Sequence, residues 1–240
     1  MKKKIIPLIL LAAAAAAFVV FRNGRDFRYA GTIEATETDL SARISGVIKA
    51  YGAAEGEPVK KGQVIASLDC DDLRLAAGIA AEDYKRAEEL YKAGSMAREG
   101  YDRAKYKRDD SALRVDWCTI KSPVSGRMLY KFREAGELVA PGTKLATVAD
   151  MSEVWAYVYV PHDLLAKLKL GMPVKGYLPE AGDRAFDGRV SVIYPEAEFT
   201  PKNVQTRKER TRLVFAVKVS FPNPDEALKP GMTAEIELPD

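Results

Sequence analysis

A chain of 240 residues with 47% hydrophobic and 30% charged side chains excludes a disordered or collagen-like polymer and sets the scale at one large or two to three small globular domains. Its 37 basic and 34 acidic residues leave a formal charge of +3, too even a balance for a nucleic-acid or polyanion binder. A single histidine, His162, rules out a histidine-cluster metal site and is expected to stand in solvent at a strand end.

The first element is an export segment. Lys2, Lys3 and Lys4 form a basic cluster, and residues 5–21 carry no charge before Arg22, Asn23 and Gly24 restore polarity. As a helix this run spans roughly 25 Å, at the low end for crossing a bilayer. Residues 12–17 offer Ala-x-Ala cleavage sites, but Phe18, Val19, Val20 and Phe21 carry the apolar run past them. A cleaved signal and a retained anchor both remain open, and the longer run favours the anchor. No cysteine lies nearby to hold a lipid. With the lysines on the cytoplasmic side, the body of the chain is expected outside the inner membrane, in the periplasm.

The next element is written twice. "SGVIKAYGAAEGEPVKKGQVIASL" fills residues 45–68 and "SGRMLYKFREAGELVAPGTKLATV" fills residues 125–148. Gly46, Gly56 and Gly62 match Gly126, Gly136 and Gly142 at the same spacing. Ser45 matches Ser125, Glu57 matches Glu137, Val59 matches Val139, Ala66 matches Ala146, and the hydroxyls of Ser67 and Thr147 coincide. Strand-forming letters lie between glycines suited to turns, so each copy predicts a bent β-hairpin. A half of this size cannot cover both faces of a sheet, and the two copies are expected to pack face to face as a small sandwich.

A glycine followed by Gly-Glu-x-Val-x-x-Gly and a short apolar strand, written twice, resembles the half-motif of biotinyl and lipoyl carrier domains. The carrier's lysine-bearing hairpin tip is missing. The first copy ends "SLDCDDL", the second opens "CTIKSPVSG", and about fifty residues intervene. A lipoyl-like sandwich split in this way resembles the membrane fusion proteins, the periplasmic adaptors of haemolysin-D-type secretion and efflux systems. The resemblance implies a mainly β fold with an α-helical hairpin: a lipoyl-like (barrel-sandwich hybrid) β-sandwich split by the hairpin and followed by a small β-barrel. The corresponding segments are a signal-anchor at 1–25, sandwich halves at 26–69 and 119–150, the hairpin at 70–118 and the barrel at 151–240.

The letters of the insert agree with a hairpin. From Asp71 to Lys92, Leu73, Ala76, Ala77, Ala80, Ala87 and Leu90 recur at three- and four-residue spacing among charges, which predicts an amphipathic helix. "AGS" at 93–95 breaks it, with Gly94 suited to the C-terminal cap and Ser95 to the next N-cap. A second helix is predicted from Met96 to about Leu113, with Ala97, Tyr101 and Ala104 on one face. Adaptors that dock on an outer-membrane channel carry a tip pattern of Arg, six residues, Leu, three residues, Ser; here Arg86 requires Leu and Ser where Ala93 and Ala97 stand. Gly94, Ser95, Met96 and Arg98 form the tip and are the candidate partner contacts. Cys70 and Cys118 mark the hairpin base, where an even cysteine count in an exported chain permits a disulfide; two buried thiols are the alternative.

From Glu153 onward the alternating runs "VWAYVYVP", "FDGRVSVIYP" and "RLVFAVKVSF" predict strands. "LKLGMPVKGYLP" at 168–179 echoes in "LKPGMTAEIELP" at 228–239, which suggests a compact barrel. "PEAEFTPKNVQTRKERTRLVFAVKV" is similar to the barrel of adaptors that serve ABC-type exporters, and the basic run at 207–210 reads as a solvated loop. A further membrane-proximal domain is expected to be absent or minimal.

No phosphate-binding glycine loop and no Gly-x-Ser-x-Gly is present, and Asp71 with Asp72 or Glu88 with Glu89 read as helix-start and solvated charges. No catalytic, cofactor or metal residues are assigned. The expectation is a non-enzymatic adaptor at the inner membrane, partnered by an ABC-type permease and ATPase, by further copies of itself in a ring and by an outer-membrane channel, with tilting at linkers near 69–71, 118–122 and 150–153. An adaptor of a proton-driven (RND-type) pump is the alternative, ahead of an exported enzyme with a lipoyl-like accessory domain and of a carrier domain.

Overall fold

The computed structural model describes residues 27–179, 182, 184–199 and 213–239. Residues 1–25, expected to be the signal-anchor, and the basic run at 207–210 lie outside the described residues. Two compact units divide the chain: one holds Ala35–Val154 with Asn223–Lys229, the other Glu34 and the residues before it, Trp155–Pro222 and Pro230 onward.

The first unit is the sandwich. Its strands are the end of β1 (Arg28–Ser41), then β2 (Gly46–Tyr51), β3 (Pro58–Val59), β4 (Val64–Asp69), β5 (Thr119–Lys121), β6 (Gly126–Lys131), β7 (Leu138–Val139) and the start of β8 (Lys144–Pro161). The copies do not stay apart. Strand β3 of the first copy pairs with β6 of the second, Val59 opposite Gly126, while β7 of the second pairs with β2 of the first, Val139 opposite Gly46. The turn bonds repeat in the same sense: Gly56 N–H donates to Met128 O and Gly136 N–H to Ile48 O. The repeated glutamates tie the turns, Glu57 accepting from Ala54 N–H and Glu137 from Glu134 N–H. Between the sheets lie matched pairs of fully enclosed side chains: Ile48 with Met128, Val59 with Val139, Ile65 with Leu145, and Leu68 with Val148. Each buried aliphatic side chain stabilises the unit by roughly 1.5–3 kcal/mol against exposure.

Two kinds of work explain the repeated glycines. Gly56, Gly62, Gly136 and Gly142 have φ of 82°, 84°, 94° and 87°, turn geometry that a Cβ disfavours. Gly126 instead admits a neighbour: a Cβ there would lie 1.9 Å from Ala149 O on β8.

The insert forms α1 (Asp71–Lys92) and α2 (Arg98–Asp116). Helix α1 closes in a Schellman motif, Gly94 at φ 72° with its N–H on Tyr91 O and Ser95 N–H on Leu90 O. Ser95 is therefore consumed in ending the first helix and does not cap the second, whose N-cap is Ala97 with no side-chain bond. Ala76 and Leu90 face outward, another departure from the periodicity reading.

The second unit is a closed ring of strands in the order β1, β12 (Thr233–Glu237), β9 (Pro173–Leu178), β10 (Arg184–Phe199), β11 (Leu213–Pro222), β8, with β8 also pairing with β1. A four-residue helix, α3 (His162–Leu165), follows β8. The sixty-residue echo has a structural meaning. Gly171 N–H donates to Val190 O and Val190 N–H to Met172 O; Gly231 N–H donates to Ile33 O and Ile33 N–H to Met232 O. The two "GM" turns thus clasp a neighbouring strand in the same way. Phe221 is 1% exposed, and its ring fills the space over Gly176 and Gly188, where Cβ atoms would stand 2.6 and 2.5 Å from it.

Two expectations need correction. Residues 28–34 do not belong to the sandwich: Arg28 to Thr32 pair with Glu237 to Thr233 in the barrel unit, a partner so distant in sequence that no local pattern announces it. Nor are 118–122 and 150–153 loose linkers. Thr119–Lys121 is a strand bonded to β4, and β8 runs unbroken for 18 residues through 150–153.

Candidate functional site

The hairpin is the feature that sets this sandwich apart from a plain one. Its seam is drawn from Leu73, Ala77, Ala80, Tyr84, Ala87 and Tyr91 of α1 and Tyr101, Ala104, Arg108, Ser111 and Val115 of α2, alternating three and four apart as in a coiled coil. Small alanines let the helices approach, and an aromatic group fills the middle. Tyr91 stacks on Tyr101 with centroids 4.9 Å apart, the hydroxyls of Tyr84 and Tyr101 are 3.0 Å apart, and the Arg108 guanidinium lies 3.9 Å from the centre of the Tyr84 ring. The bond with Tyr84, with burial adding, pushes the Tyr101 hydroxyl up to about 12.

At the base, Cys70 and Cys118 are joined with their Cα atoms 6.3 Å apart, and both are buried under the sandwich core. Cys118 O also accepts from Leu68 N–H, so the helix pair and the sheet share one fixed root. At the far end stand the tip residues. Gly94 and Ser95 serve the Schellman turn, Met96 lies against Gly100, and Arg98 is exposed and 3.6 Å from Asp102. The structure thus separates the cysteines from the tip by the length of the hairpin, 22 residues in α1 or about 33 Å.

The periodicity reading missed the outer faces. Leu75 (68% exposed) and Ile79 (57%) stand on the outside of α1, and Tyr106 (71%) and Leu113 (49%) on the outside of α2. Because 70 faces 118 and the chains run oppositely, Leu75 and Leu113 are level on opposite sides. The four-residue spacing of Leu75 and Ile79 and the seven-residue spacing of Tyr106 and Leu113, on faces away from the seam, were the available signal.

Elsewhere in the sandwich unit, Asp39 accepts from Thr147 Oγ1 at 2.8 Å and lies 2.7 Å from Lys144 Nζ; the lysine bond and then the threonine bond hold its carboxyl below the usual range. A latch closes the unit. Asn223 Nδ2 donates to Met151 O and Leu228 O, its Oδ1 accepts from Leu228 N–H, and Arg127 pairs with Glu226. In the barrel unit His162 sits on α3 with its ring 6.0 Å from Phe215. Among the described residues no group of three His, Cys, Asp or Glu is placed to hold a metal, and no helix is long and apolar enough to cross a membrane.

Comparison with known proteins gives these units names. Residues 36–150 match the family model of the CzcB-like barrel-sandwich hybrid domain, and residues 153–240 that of the CusB-like β-barrel domain. A UPF0194 membrane protein of Acidithiobacillus ferridurans is 36% identical over 120 residues, which is 50% of this chain and 36% of that relative's length. Among solved structures, a MacA–MexA chimera carrying the Pseudomonas aeruginosa MexA α-hairpin domain has a TM-score of 0.73 at 18% identity, over 90% of this chain and 82% of its own. The membrane fusion protein Spr0693 of Streptococcus pneumoniae R6 has a TM-score of 0.66 at 17% identity, over 89% of this chain and 98% of its own. With its sandwich and its barrel both matched in order, the chain belongs with the proteins built from a CzcB-like barrel-sandwich hybrid domain followed by a CusB-like β-barrel domain.

Proposed function

We propose that this chain is a non-enzymatic adaptor subunit of a bacterial export or efflux system, working between an inner-membrane transporter and components further out. The observation that carries this reading is the interlocked sandwich whose insert leaves as a rooted helical arm, followed by a barrel. Adaptors of this family work with inner-membrane transporters and outer-membrane channels. Within that class we assign an ABC-type permease and ATPase as the transporter, on the likeness of residues 195–219 to the barrels of such adaptors. The second reading, a proton-driven pump, is favoured by the barrel match itself, whose family model carries an RND label.

The chain is held at the inner membrane by residues 5–21 in this proposal, and copies associate side by side. Support for association comes from the level apolar patches on the two outer helix faces, which suit a repeated head-to-tail contact that closes as a ring. The tip residues Gly94, Ser95, Met96 and Arg98 face the outer components. Chemical cross-linking in native membranes followed by purification through a tag on this chain is the test: an ATPase and its permease support the first reading, a single large pump the second, and no transporter at all overturns both.

A further inference from the structure

The barrel unit has an end that its own packing leaves exposed. Arg28 on β1 and Lys175 on β9 both lie opposite Glu237 on β12, so the chain just before β1, just before β9 and just after β12 emerges at one end of the ring. There Phe27, Tyr29, Leu164, Lys167, Leu238 and Pro239 line a cleft of about 290 Å³. Phe27 is 73% exposed, and Leu170, in the turn leading to β9, is 68% exposed. Lys167 and Lys169 are exposed on the same segment as Leu170. Large apolar side chains interleaved with lysines at a strand end do nothing for the barrel core.

We infer that this end of the barrel, through Phe27, Leu170 and the lysines at 167 and 169, seats on the headgroup layer of an anionic phospholipid membrane. Where the chain continues supplies the occupant. Only residues 22–26 separate Phe27 from the apolar run at 5–21, and five residues reach at most about 18 Å when fully extended. With that run held in the bilayer, Phe27 cannot stand far from the headgroups, a layer of roughly 5–8 Å on each side of the hydrocarbon. Charge agrees: Lys167 and Lys169 outnumber Asp163 on this segment, and the connecting residues add Arg22 and Arg25 against Asp26. Phe27 and Leu170 then enter the apolar boundary while the ammonium groups meet phosphate, the division of labour of an interfacial contact. This inference rests on the retained-anchor reading, and the test separates the two.

The full chain and a Leu170→Trp variant are reconstituted into vesicles of phosphatidylethanolamine with a minor share of phosphatidylglycerol, with and without brominated acyl chains. The exposed turn admits the larger ring, and the parent chain subtracts the signal of Trp117 and Trp155. Brominated lipid is expected to quench the added tryptophan, and Lys167→Glu with Lys169→Glu to cut that quenching at least about twofold. Quenching lost when phosphatidylcholine replaces the anionic mixture supports the charge argument. A chain that resists alkaline carbonate extraction yet shows no quenching overturns the inference and leaves the anchor standing. A chain quenched but released by carbonate leaves the inference standing and removes the anchor, and one that never associates with vesicles overturns both. Solvent protection of residues 162–171 that arises only when transporter is added assigns this end to protein and overturns the lipid contact.

Discussion

Val139 lies across the ladder from Gly46 on a strand of the other sequence copy, and Val59 stands to Gly126 in the same relation. Each copy therefore completes the other's sheet, and the two glycines sit where the copies cross. Their surroundings differ. A Cβ at Gly126 meets the Ala149 carbonyl oxygen at 1.9 Å, whereas one at Gly46 meets nothing nearer than the Asp69 oxygen at 3.2 Å. Gly126→Ala is expected to cost about 3 kcal/mol and Gly46→Ala about 1 kcal/mol, read from chemical denaturation. Equal costs would show that the crossing is not tight at β8.

The disulfide roots the arm. Its two residues are 48 apart in sequence, which on the chain-entropy account corresponds to about 4 kcal/mol. Cys70→Ala with Cys118→Ala is expected to lower the unfolding free energy by that order, and with it the denaturation midpoint, and to speed hydrogen exchange along α1 and α2. Both cysteines are buried, so reductant is expected to act on the native protein only slowly. An unchanged midpoint in the double variant removes the stabilising role.

Asn223 is 3% exposed and its side chain makes three hydrogen bonds, two given and one received. Replacing it with alanine leaves the Met151 and Leu228 carbonyls without their donor and is expected to cost about 2–3 kcal/mol. Asn223→Asp is expected to be worse, because it turns an acceptor toward those same carbonyls. Thermal melts of the three proteins decide it, and an aspartate variant as stable as wild type contradicts the latch.

Tyr101 supplies a pH dependence. Its hydroxyl is held at about 12, chiefly through Tyr84, against an ordinary value near 10. A raised value favours the folded form below the ordinary pKa, and that contribution is lost as pH climbs from about 10 through 12. Helical circular dichroism is expected to fall across that window, and Tyr84→Phe to bring the ultraviolet titration of Tyr101 back toward 10. A Tyr101 that already titrates normally in the wild type defeats this prediction.

The outer helix faces test association. Leu75→Glu with Ile79→Glu puts charge on an exposed face away from the seam, so the monomer is expected to keep its helical signal while losing the larger species in native mass spectrometry. Leu113→Glu, on the opposite face at the same height, is expected to do likewise. Mixing the two kinds of variant yields at most dimers if the contact runs head to tail, because each then retains only one competent face.

Much of this was legible because repetition exposes backbone need: a glycine demanded twice at one spacing marks a turn or a crossing before any coordinates exist. Helix α1 was bounded correctly at Asp71 and Lys92 by its charges and by Gly94. Its buried face was read less well. Tyr101 was placed on the inner face, whereas Tyr84, Tyr91 and Arg108 carry polar tips that an apolar count passes over, yet their rings and stems fill the seam with it. Ser95 looked like a cap because serine prefers that place, but its N–H was needed by Leu90. The first half of β1 could not be assigned from local letters, since its partner is the last strand of the chain. The exposed barrel end likewise has no motif; it becomes visible only when the register of three strands brings distant residues to one place.

The crossing of the copies also governs the order in which the molecule can be made. A nascent chain that has emerged only to residue 120 carries β2, β3 and β4 but neither β6 nor β7, so its half-sheet must wait with open edges. The helices form from nearby contacts and need no such wait. Once paired, they bring residues 70 and 118 to a Cα separation of 6.3 Å, so the late-arriving copy is delivered to the early one across a gap of a few ångströms. The arm is thereby a splint for its own foundation, and shortening or loosening it should delay closure of the sandwich before it weakens the finished fold.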